Sequence, residues 1–324
     1  MTRSGEPRPR AVILGGTGAI GGATALRLLS AGWSVDVTGR EPGRMPAELA
    51  AAGARFHRLD RSDRAAVAAL LGSGTELLVD LLAFRGADVA AVLPLLADVD
   101  SAVLVSSRAV YRDAAGRHLN GSEPPRFPAP LGEDTPTLDP APDEADPFTR
   151  TGYGPGKAAA EAAALGSGRP ITVLRPAKVH GRWARNARTG STVRRMLAGT
   201  GDLEVADPGS LEHLTGAGNV ARVIEAVARN PAQRVLNVAD PEPVTARAIF
   251  ETIAAEAGWA GTLRPIRDPA TPERGDHPWR TVHPVLLDTA RARALTGDEG
   301  FPGPLAIAEE ARWVAEGQRR RNPA

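Results

Sequence analysis

Short apolar runs alternate with longer stretches rich in Ala and Leu over the first two-thirds of the chain. This alternation is typical of βαβ units and a parallel sheet, because the apolar runs have the length of buried strands. The predicted strands are Ala11–Gly15, Trp33–Thr38, Ala54–Leu59, Glu76–Leu82, Ala102–Ser106, Ile171–Arg175 and Arg234–Ala239. The predicted helices are Gly18–Ser30, Ala87–Ala97, Lys157–Leu165, Ala217–Arg229 and Ala246–Ala257. The pattern therefore predicts an α/β protein.

Two parts of the chain depart from this alternation. Between Arg112 and Thr151 the sequence is polar and dense in Pro, Gly and acidic residues. A loop of this length inside a compact domain is usually functional or disordered, so we expect a flap beside the active site or else a tolerated insertion. Beyond Gly181, helical stretches are separated by Pro-rich connectors such as Arg264–Pro284.

A glycine-rich segment joins the first predicted strand to the first predicted helix. In a dinucleotide-binding turn, glycines permit a tight turn, close approach of the backbone to a pyrophosphate, and close packing of helix on strand. The phosphates then lie at a helix N-terminus, where free N–H groups favour negative charge. The predicted cofactor contacts from this turn are Gly15, Thr17, Gly18, Ala19, Ile20 and Gly21.

A turn of this kind is typical of a Rossmann-type parallel sheet, and most of the less regular region from Gly181 onward is assigned to a substrate-binding lobe. We assign residues 10–180, continued by 213–240, to the cofactor-binding domain. Residues 181–212 and 241–318 are assigned to the lobe. Residues 1–9 and 319–324, which include the basic run Arg319–Arg321, are expected to be disordered tails.

The end of the second predicted strand indicates which dinucleotide is bound. An acidic residue there would bind the adenosine ribose of NAD, whereas an arginine accommodates the 2′-phosphate of NADP. Arg40 occupies this position with Arg44 close behind, and Asp36 lies too early in the strand. Asp60, after the third strand, is a candidate contact to the adenine. We therefore predict NADP(H), with NAD(H) less favoured and a merely solvated Arg40 as the alternative interpretation.

Tyr153 and Lys157 lie one helical turn apart, and the chain has only two tyrosines and two lysines. Carbonyl reduction needs a proton donor that becomes a base in the reverse direction. A neighbouring ammonium can lower the pKa of a tyrosine towards neutrality. Ser107, directly after the fifth predicted strand, is placed to hydrogen-bond the reacting oxygen, or else it only terminates that strand together with Ser106.

Four motifs occur in the order found in one enzyme family: Gly15–Gly22, Ser106-Ser107 with Val110-Tyr111, Tyr153 with Lys157, and Leu174–Gly181. From about Ala11 to Ala239 the chain resembles the NAD(P)-dependent epimerase/dehydratase family, the extended short-chain dehydrogenases/reductases. The resemblance implies an α/β fold with a Rossmann-type doubly wound parallel sheet and a smaller C-terminal substrate-binding lobe. It implies a catalytic set of Ser107, Tyr153 and Lys157, and a loop beside the nicotinamide that includes Pro176. It also implies a possible homodimer formed through the helix that carries Tyr153 and Lys157.

The chain departs from the family pattern after its sixth predicted strand. Many nucleotide-sugar enzymes of the family have an asparagine in the loop that contains Lys178 here, so a nucleotide sugar is not the expected substrate. Lys178 and Arg182 are candidate substrate contacts, and a plain surface lysine is the alternative interpretation of Lys178. An anion-binding wall or a solvated basic helix face is expected from Arg182, Trp183, Arg185 and Arg188.

Composition excludes several other functions. The 324 residues carry a formal net charge of +1, which does not fit a dedicated nucleic-acid binder. There is no cysteine, so disulfides and thiolate zinc sites are excluded, and the six histidines show no metal-ligand spacing. No apolar stretch suggests a signal peptide or a membrane span, so we expect a cytoplasmic protein with no membrane partner.

These observations predict an NADP-dependent oxidoreductase that interconverts a carbonyl and an alcohol on a sugar-like or natural-product small molecule. Two alternatives stay open. An NAD(P)-dependent sugar epimerase would oxidise and re-reduce one substrate without net redox change. A non-catalytic dinucleotide-binding sensor would need the glycine turn alone.

Overall fold

A computed structural model describes residues 8–72, 74–199, 201–266 and 274–321. Its strands are β1 (Arg10–Leu14), β2 (Ser34–Gly39), β3 (Arg55–Arg58), β4 (Leu77–Asp80), β5 (Ser101–Val105), β6 (Ile171–Pro176), β7 (Lys178–His180), β8 (Leu203–Ala206), β9 (Leu211–Glu212), β10 (Leu214–Gly216), β11 (Arg234–Val238), β12 (Val244–Thr245) and β13 (Leu263–Ile266). Its α-helices are α1 (Ala19–Ser30), α2 (Ala47–Ala51), α3 (Arg64–Leu71), α4 (Gly86–Val92), α5 (Tyr153–Leu165), α6 (Ala187–Leu197), α7 (Ala217–Arg229), α8 (Ala246–Ala257), α9 (Ala290–Thr296) and α10 (Gly303–Arg321).

Seven strands form one parallel sheet in the order β11-β6-β5-β4-β1-β2-β3. One face of the sheet packs against α1 and α7 through residues such as Leu28 and Ile224. The other face packs against α3, α4 and α5 through residues such as Val67, Val89 and Ala160. Helices on both faces confirm the predicted Rossmann-type doubly wound α/β fold. The chain reverses its direction of winding between β1 and β4, and open sheets of this kind bind ligands beside that point.

The predicted strands and helices are present, with ends that differ by a few residues. Helix α4 ends at Val92 and not at Ala97, and α5 begins at Tyr153 and not at Lys157. The sequence does not predict this first turn, because glycine and proline are poor helix formers and occupy positions 154–156. Pro155 is tolerated there because N–H groups in the first turn of a helix make no intrahelical hydrogen bond, so the lack of one costs nothing.

A separate hydrophobic cluster holds the C-terminal region together. Helices α6, α8 and α10 pack around Trp279 and β8, next to three short two-stranded pairings. Helix α9 lies in the range 241–318 that was assigned to the lobe. Its residues Ala292 and Leu295 pack instead against the core that β11 and α7 share. No helix in the described ranges is both long and apolar enough to cross a bilayer.

The ends of the chain differ in part from the expected tails. Arg319–Arg321 continue α10, and Arg319 Nη2 donates a hydrogen bond to the carbonyl of Ala257 over 3.0 Å. This contact to α8 explains why the basic run is helical. At the other end, the Pro9 carbonyl accepts a hydrogen bond from Ser34 N over 2.8 Å. Residues 1–7 and 322–324 of the predicted tails lie outside the described residues.

Candidate active site

Two joined cavities open beside the point where the sheet reverses its winding. The first, which we call the glycine-loop cavity, has a volume of about 660 Å³ and lies against the turn between β1 and α1. The second, the tyrosine cavity, has a volume of about 750 Å³ and lies against the start of α5. The cavities share the lining residues Ile20, Leu81, Phe84, Val105, Val179 and Arg188. Both volumes are typical of small-molecule sites.

The glycine turn lines the first cavity with all six residues predicted from it, namely Gly15, Thr17, Gly18, Ala19, Ile20 and Gly21. A Cβ atom added to Gly16 would lie 2.6 Å from Cβ of Val37, and one added to Gly21 would lie 2.5 Å from Cα of Gly16. At Gly18 an added Cβ would meet no atom of the described residues within 4 Å. The turn is therefore tightly packed on its protein side and open on its cavity side at Gly18.

This open side fits a phosphate of a dinucleotide. Gly18 is the N-cap residue of α1, and it provides no side-chain cap for the free N–H groups of the first turn. That first turn also contains no acidic residue. An anion placed there meets unsatisfied donors and the positive end of the helix dipole.

Arg40, Arg44 and Asp60 also line the glycine-loop cavity. Arg44 is paired with Glu41 over 2.6 Å. The Asp60 carboxylate accepts hydrogen bonds from N and Oγ of Ser62, which lower its pKa. Arg40 is solvent-exposed and has no ion pair within the described ranges. Its guanidinium is thus available to a ligand of this cavity.

Asp36 faces away from the cavity. Its buried carboxylate bonds to Arg10 over 2.7 Å, to Arg55 over 2.8 Å and to His57 over 2.7 Å. Burial alone would raise the pKa of Asp36, but the hydrogen bonds from Arg55, His57 and Arg10 outweigh it and lower the pKa to about 2. The acid on β2 therefore belongs to a structural ion cluster between β1 and β3.

Ser107, Tyr153 and Lys157 meet in the tyrosine cavity, with Pro176 on the same lining. The buried Lys157 Nζ donates hydrogen bonds to the carbonyls of Ala83 over 2.8 Å and Val105 over 2.9 Å. It also lies 4.2 Å from the centre of the Phe84 ring. Burial disfavours the ammonium and lowers the pKa of Lys157 to about 8.

The electrostatic surroundings of Tyr153 differ from the expectation. Burial raises the pKa of its phenol, and the groups that oppose this rise are the Ser107 hydroxyl and the Arg188 guanidinium. The Lys157 ammonium is directed to the backbone carbonyls of Ala83 and Val105. The site therefore stabilises the protonated form of Tyr153.

The four residues expected to form an anion-binding wall are separated in the structure. Arg182 lines neither cavity, which corrects its prediction as a substrate contact. It forms an ion pair with Glu48 over 2.7 Å and stacks on Trp183, and these contacts engage its guanidinium outside the cavities. The buried Trp183 packs against Gly22.

Arg185, Arg188 and Lys178 do reach the cavities. Arg185 Nη2 donates a hydrogen bond to Thr17 Oγ1 over 2.6 Å and lines the glycine-loop cavity. Arg188 lines both cavities. Lys178 lines the tyrosine cavity, where its Nζ bonds to Glu212 Oε2 and to the carbonyl of Pro278, each over 2.5 Å.

Several lining residues were missed by sequence reasoning. Phe84 follows β4, and a residue just beyond a central strand of an open α/β sheet is a general candidate for the cleft. Residues 119–125 and Arg150 belong to the polar segment predicted as a flap, and they line the tyrosine cavity. The stretch 280–283 comes from the Pro-rich connector and carries no motif. In the described ranges, no cluster of His, Asp and Glu residues is arranged to hold a metal ion.

Comparisons with known proteins bear on this site. Residues 11–239 match the NAD dependent epimerase/dehydratase family. A comparison with curated protein sequences found no significant match.

Three solved structures illustrate the similarity of fold. A UDP-galactose 4-epimerase is 19% identical with a TM-score of 0.68, over 95% of this chain and 99% of that chain. The enzyme WbmH of Bordetella bronchiseptica, in complex with NAD+, is 16% identical with a TM-score of 0.70, over 98% of this chain and 100% of that chain. A dTDP-glucose 4,6-dehydratase from Bacillus anthracis str. Ames, in complex with NAD, is 15% identical with a TM-score of 0.68, over 96% of this chain and 97% of that chain. Because the family match covers most of the chain and includes every motif that carried the resemblance, the chain belongs to the NAD-dependent epimerase/dehydratase family of enzymes.

Proposed function

We propose that this protein is an NADP(H)-dependent oxidoreductase that interconverts a carbonyl and an alcohol on a small molecule bound in the tyrosine cavity. The observation that carries the proposal is the position of Ser107, Tyr153 and Lys157. All three line a cavity that is continuous with the cavity of the glycine turn. A non-catalytic sensor would not need these groups beside its ligand.

The cofactor would be held by the glycine turn and by Arg40. The pyrophosphate fits the open side of Gly18 at the N-terminus of α1, and the 2′-phosphate fits the exposed guanidinium of Arg40. The structures of WbmH and of the dehydratase contain NAD. NADP is favoured for this chain because Asp36, the only acid on β2, is engaged by three basic side chains.

The chemistry would be a carbonyl reduction. When bound, NADPH would supply a hydride from a C–H bond of its nicotinamide ring to the carbonyl carbon and would be left as NADP+. Tyr153 donates its phenolic proton to the carbonyl oxygen, which takes the electron pair of the broken C=O π bond, and solvent returns the proton. Ser107 donates a hydrogen bond to the same oxygen and stabilises its developing charge. The raised pKa of Tyr153 keeps the phenol protonated, as this direction requires.

Sugar epimerisation is the second candidate, and the family match favours it as much as a net reduction. The same three side chains would then remove and return a proton within one turnover. The two functions differ in one measurable respect, because only the oxidoreductase consumes NADPH in step with product.

The proposal is tested by incubating the protein with NADPH and a panel of carbonyl compounds while the nicotinamide absorbance is followed. Loss of NADPH in equimolar amount to alcohol formed supports the oxidoreductase. Conversion of a sugar with unchanged NADPH supports the epimerase instead. Failure to bind either dinucleotide rejects both.

A further inference from the structure

The tyrosine cavity has a strongly unequal distribution of charge. Its only acidic lining residue in the described ranges is Glu123. Its cationic lining residues are Arg108, Arg150, Lys157, Lys178, Arg188 and Arg280. Such a wall attracts anions, since low-dielectric surroundings strengthen its field.

One buried carboxylate serves two of these cations. Glu212 accepts a hydrogen bond from Arg108 Nη2 over 2.6 Å and another from Lys178 Nζ over 2.5 Å. Arg280 is engaged elsewhere, with Asp207 over 2.6 Å. Lys178 and Arg108 together thus retain one positive charge that Glu212 does not neutralise.

Arg188 differs in its partners from the buried arginines of the chain. It is half-buried and has no ion pair within the described ranges, whereas the buried Arg108, Arg175 and Arg222 each pair with a carboxylate. Among the described residues, only its Nη2 has an acceptor, the carbonyl of Val179 over 2.7 Å, and its buried Nε has none. Buried cations are normally paired, so the remaining donors of this guanidinium are suited to a planar anion from outside the chain.

Arg188 lines both cavities, but the neighbouring Lys178 lines the tyrosine cavity and not the glycine-loop cavity, so an anion that both side chains bind lies on the substrate side. The charged and ionisable groups that act on Arg188 are Glu310, Glu212, Arg108 and Tyr153. None of them belongs to the glycine turn or to the end of β2. Contact with the glycine turn comes instead from Arg185, through Thr17.

We infer that the substrate of this enzyme carries an acidic group, a carboxylate or a phosphate, which Arg188 and Lys178 bind within reach of Tyr153. The inference rests on the proposed function and narrows it, because neutral sugars and ketones would leave Arg188 unpaired. The inference also explains the contacts of Lys178. Its ammonium donates hydrogen bonds to Glu212 and to the carbonyl of Pro278, which leaves the third N–H for a ligand.

Anion binding to the complex of the protein with NADP+ tests the inference, with oxalate and inorganic phosphate as probes in calorimetric titrations. We expect at least one probe to bind the wild type and to bind Arg188→Gln about tenfold more weakly or worse. Arg195→Gln is the matched control, because Arg195 is exposed on the same helix and lines neither cavity. Arg188→Lys keeps the charge without the bidentate geometry, so its affinity for the anion should lie between those of the wild type and Arg188→Gln.

The outcomes separate this inference from the proposed function. No binding of NADP+ to the wild type would reject the proposed function itself. Normal NADP+ binding with no anion binding, or with equal anion binding to Arg188→Gln, would overturn the inference. Loss of NADP+ binding in folded Arg188→Gln and Arg188→Lys would also overturn it, because Arg188 would then serve the cofactor.

Turnover distinguishes carboxylate from phosphate. With NADPH, oxo acids are compared with their methyl esters, and sugar phosphates with the free sugars. We expect kcat/KM to favour the charged member of one pair by about 100-fold, and this preference to fall below about tenfold in Arg188→Gln. Equal use of the charged and neutral members by the wild type would overturn the inference.

Discussion

Lys157 donates a hydrogen bond to the carbonyl of Val105 over 2.9 Å and so ties the start of α5 to the last residue of β5. Ser107 follows two residues after Val105, and Tyr153 lies one turn before Lys157 on the same helix face. This contact therefore links the helix that carries Tyr153 to the strand that Ser107 follows.

Replacing Tyr153 by Phe should abolish turnover and leave dinucleotide binding nearly unchanged. The substitution removes only the proposed proton donor, so we expect kcat to fall by about a thousandfold or more. Tyr111→Phe is the matched control, because the buried Tyr111 hydroxyl bonds to Asn237 over 2.7 Å and lines neither cavity. It should cost about 1 kcal/mol of unfolding free energy and preserve kcat. Equal kcat losses in both variants would contradict the assigned role of Tyr153.

Gly18→Val should block the cofactor without damaging the fold. The new side chain meets no protein atom near its Cβ and extends into the glycine-loop cavity. Gly16→Val should instead destabilise the protein, because its Cβ would lie 2.6 Å from Cβ of Val37. Thermal unfolding and NADPH titration of both variants check this contrast. Tight NADPH binding by Gly18→Val would show that the phosphates lie elsewhere.

The stability of the wild type relative to Lys157→Met should rise with pH above about 8. The folded protein releases the Lys157 proton near a pKa of about 8, whereas the unfolded chain holds it to 10.5. Between these values the unfolded state binds more protons, so stability increases by up to about 1.4 kcal/mol per pH unit. Denaturant unfolding of both proteins at a series of pH values measures the difference. If the free energies of unfolding of the two proteins changed equally with pH, Lys157 would not be desolvated in the folded protein.

Asp36→Asn should weaken the fold and leave the choice of dinucleotide unchanged. Removing one partner of this buried cluster should cost about 3 kcal/mol. The pKa of Asp36 is about 2 in the folded protein, against 3.8 for the free side chain. Its contribution is therefore complete above pH 3.8 and is lost as the pH falls towards 2. Unfolding of wild type and variant across this range tests the stability, and a changed NADPH-to-NADH ratio would contradict the structural role.

The fold and the core of the site could be predicted because their signals are local. Strands buried on both faces are continuous apolar runs, so β1, β5 and β6 stand out from the sequence. The glycine turn must follow β1 directly, and Tyr153 and Lys157 share a helix face through their spacing alone. These features need no knowledge of distant contacts.

The substrate side could not be predicted because it depends on contacts between distant segments. Arg182 and Arg188 lie in the same arginine-rich stretch, yet Arg182 pairs with Glu48 and Arg188 faces both cavities. The helical end of α10 at Arg319–Arg321 depends in the same way on α8.

Calorimetric titration of wild type and Arg40→Glu with NADPH and with NADH tests the central claim most directly. We expect the wild type to bind NADPH at least about tenfold more tightly than NADH, since one charge-assisted contact to the 2′-phosphate accounts for that ratio. Arg40→Glu should lose this preference. Arg58→Glu, on the neighbouring strand and outside both cavities, should retain it. Equal or tighter binding of NADH by the wild type would contradict an NADP(H)-dependent enzyme, and binding of neither dinucleotide would contradict the oxidoreductase altogether.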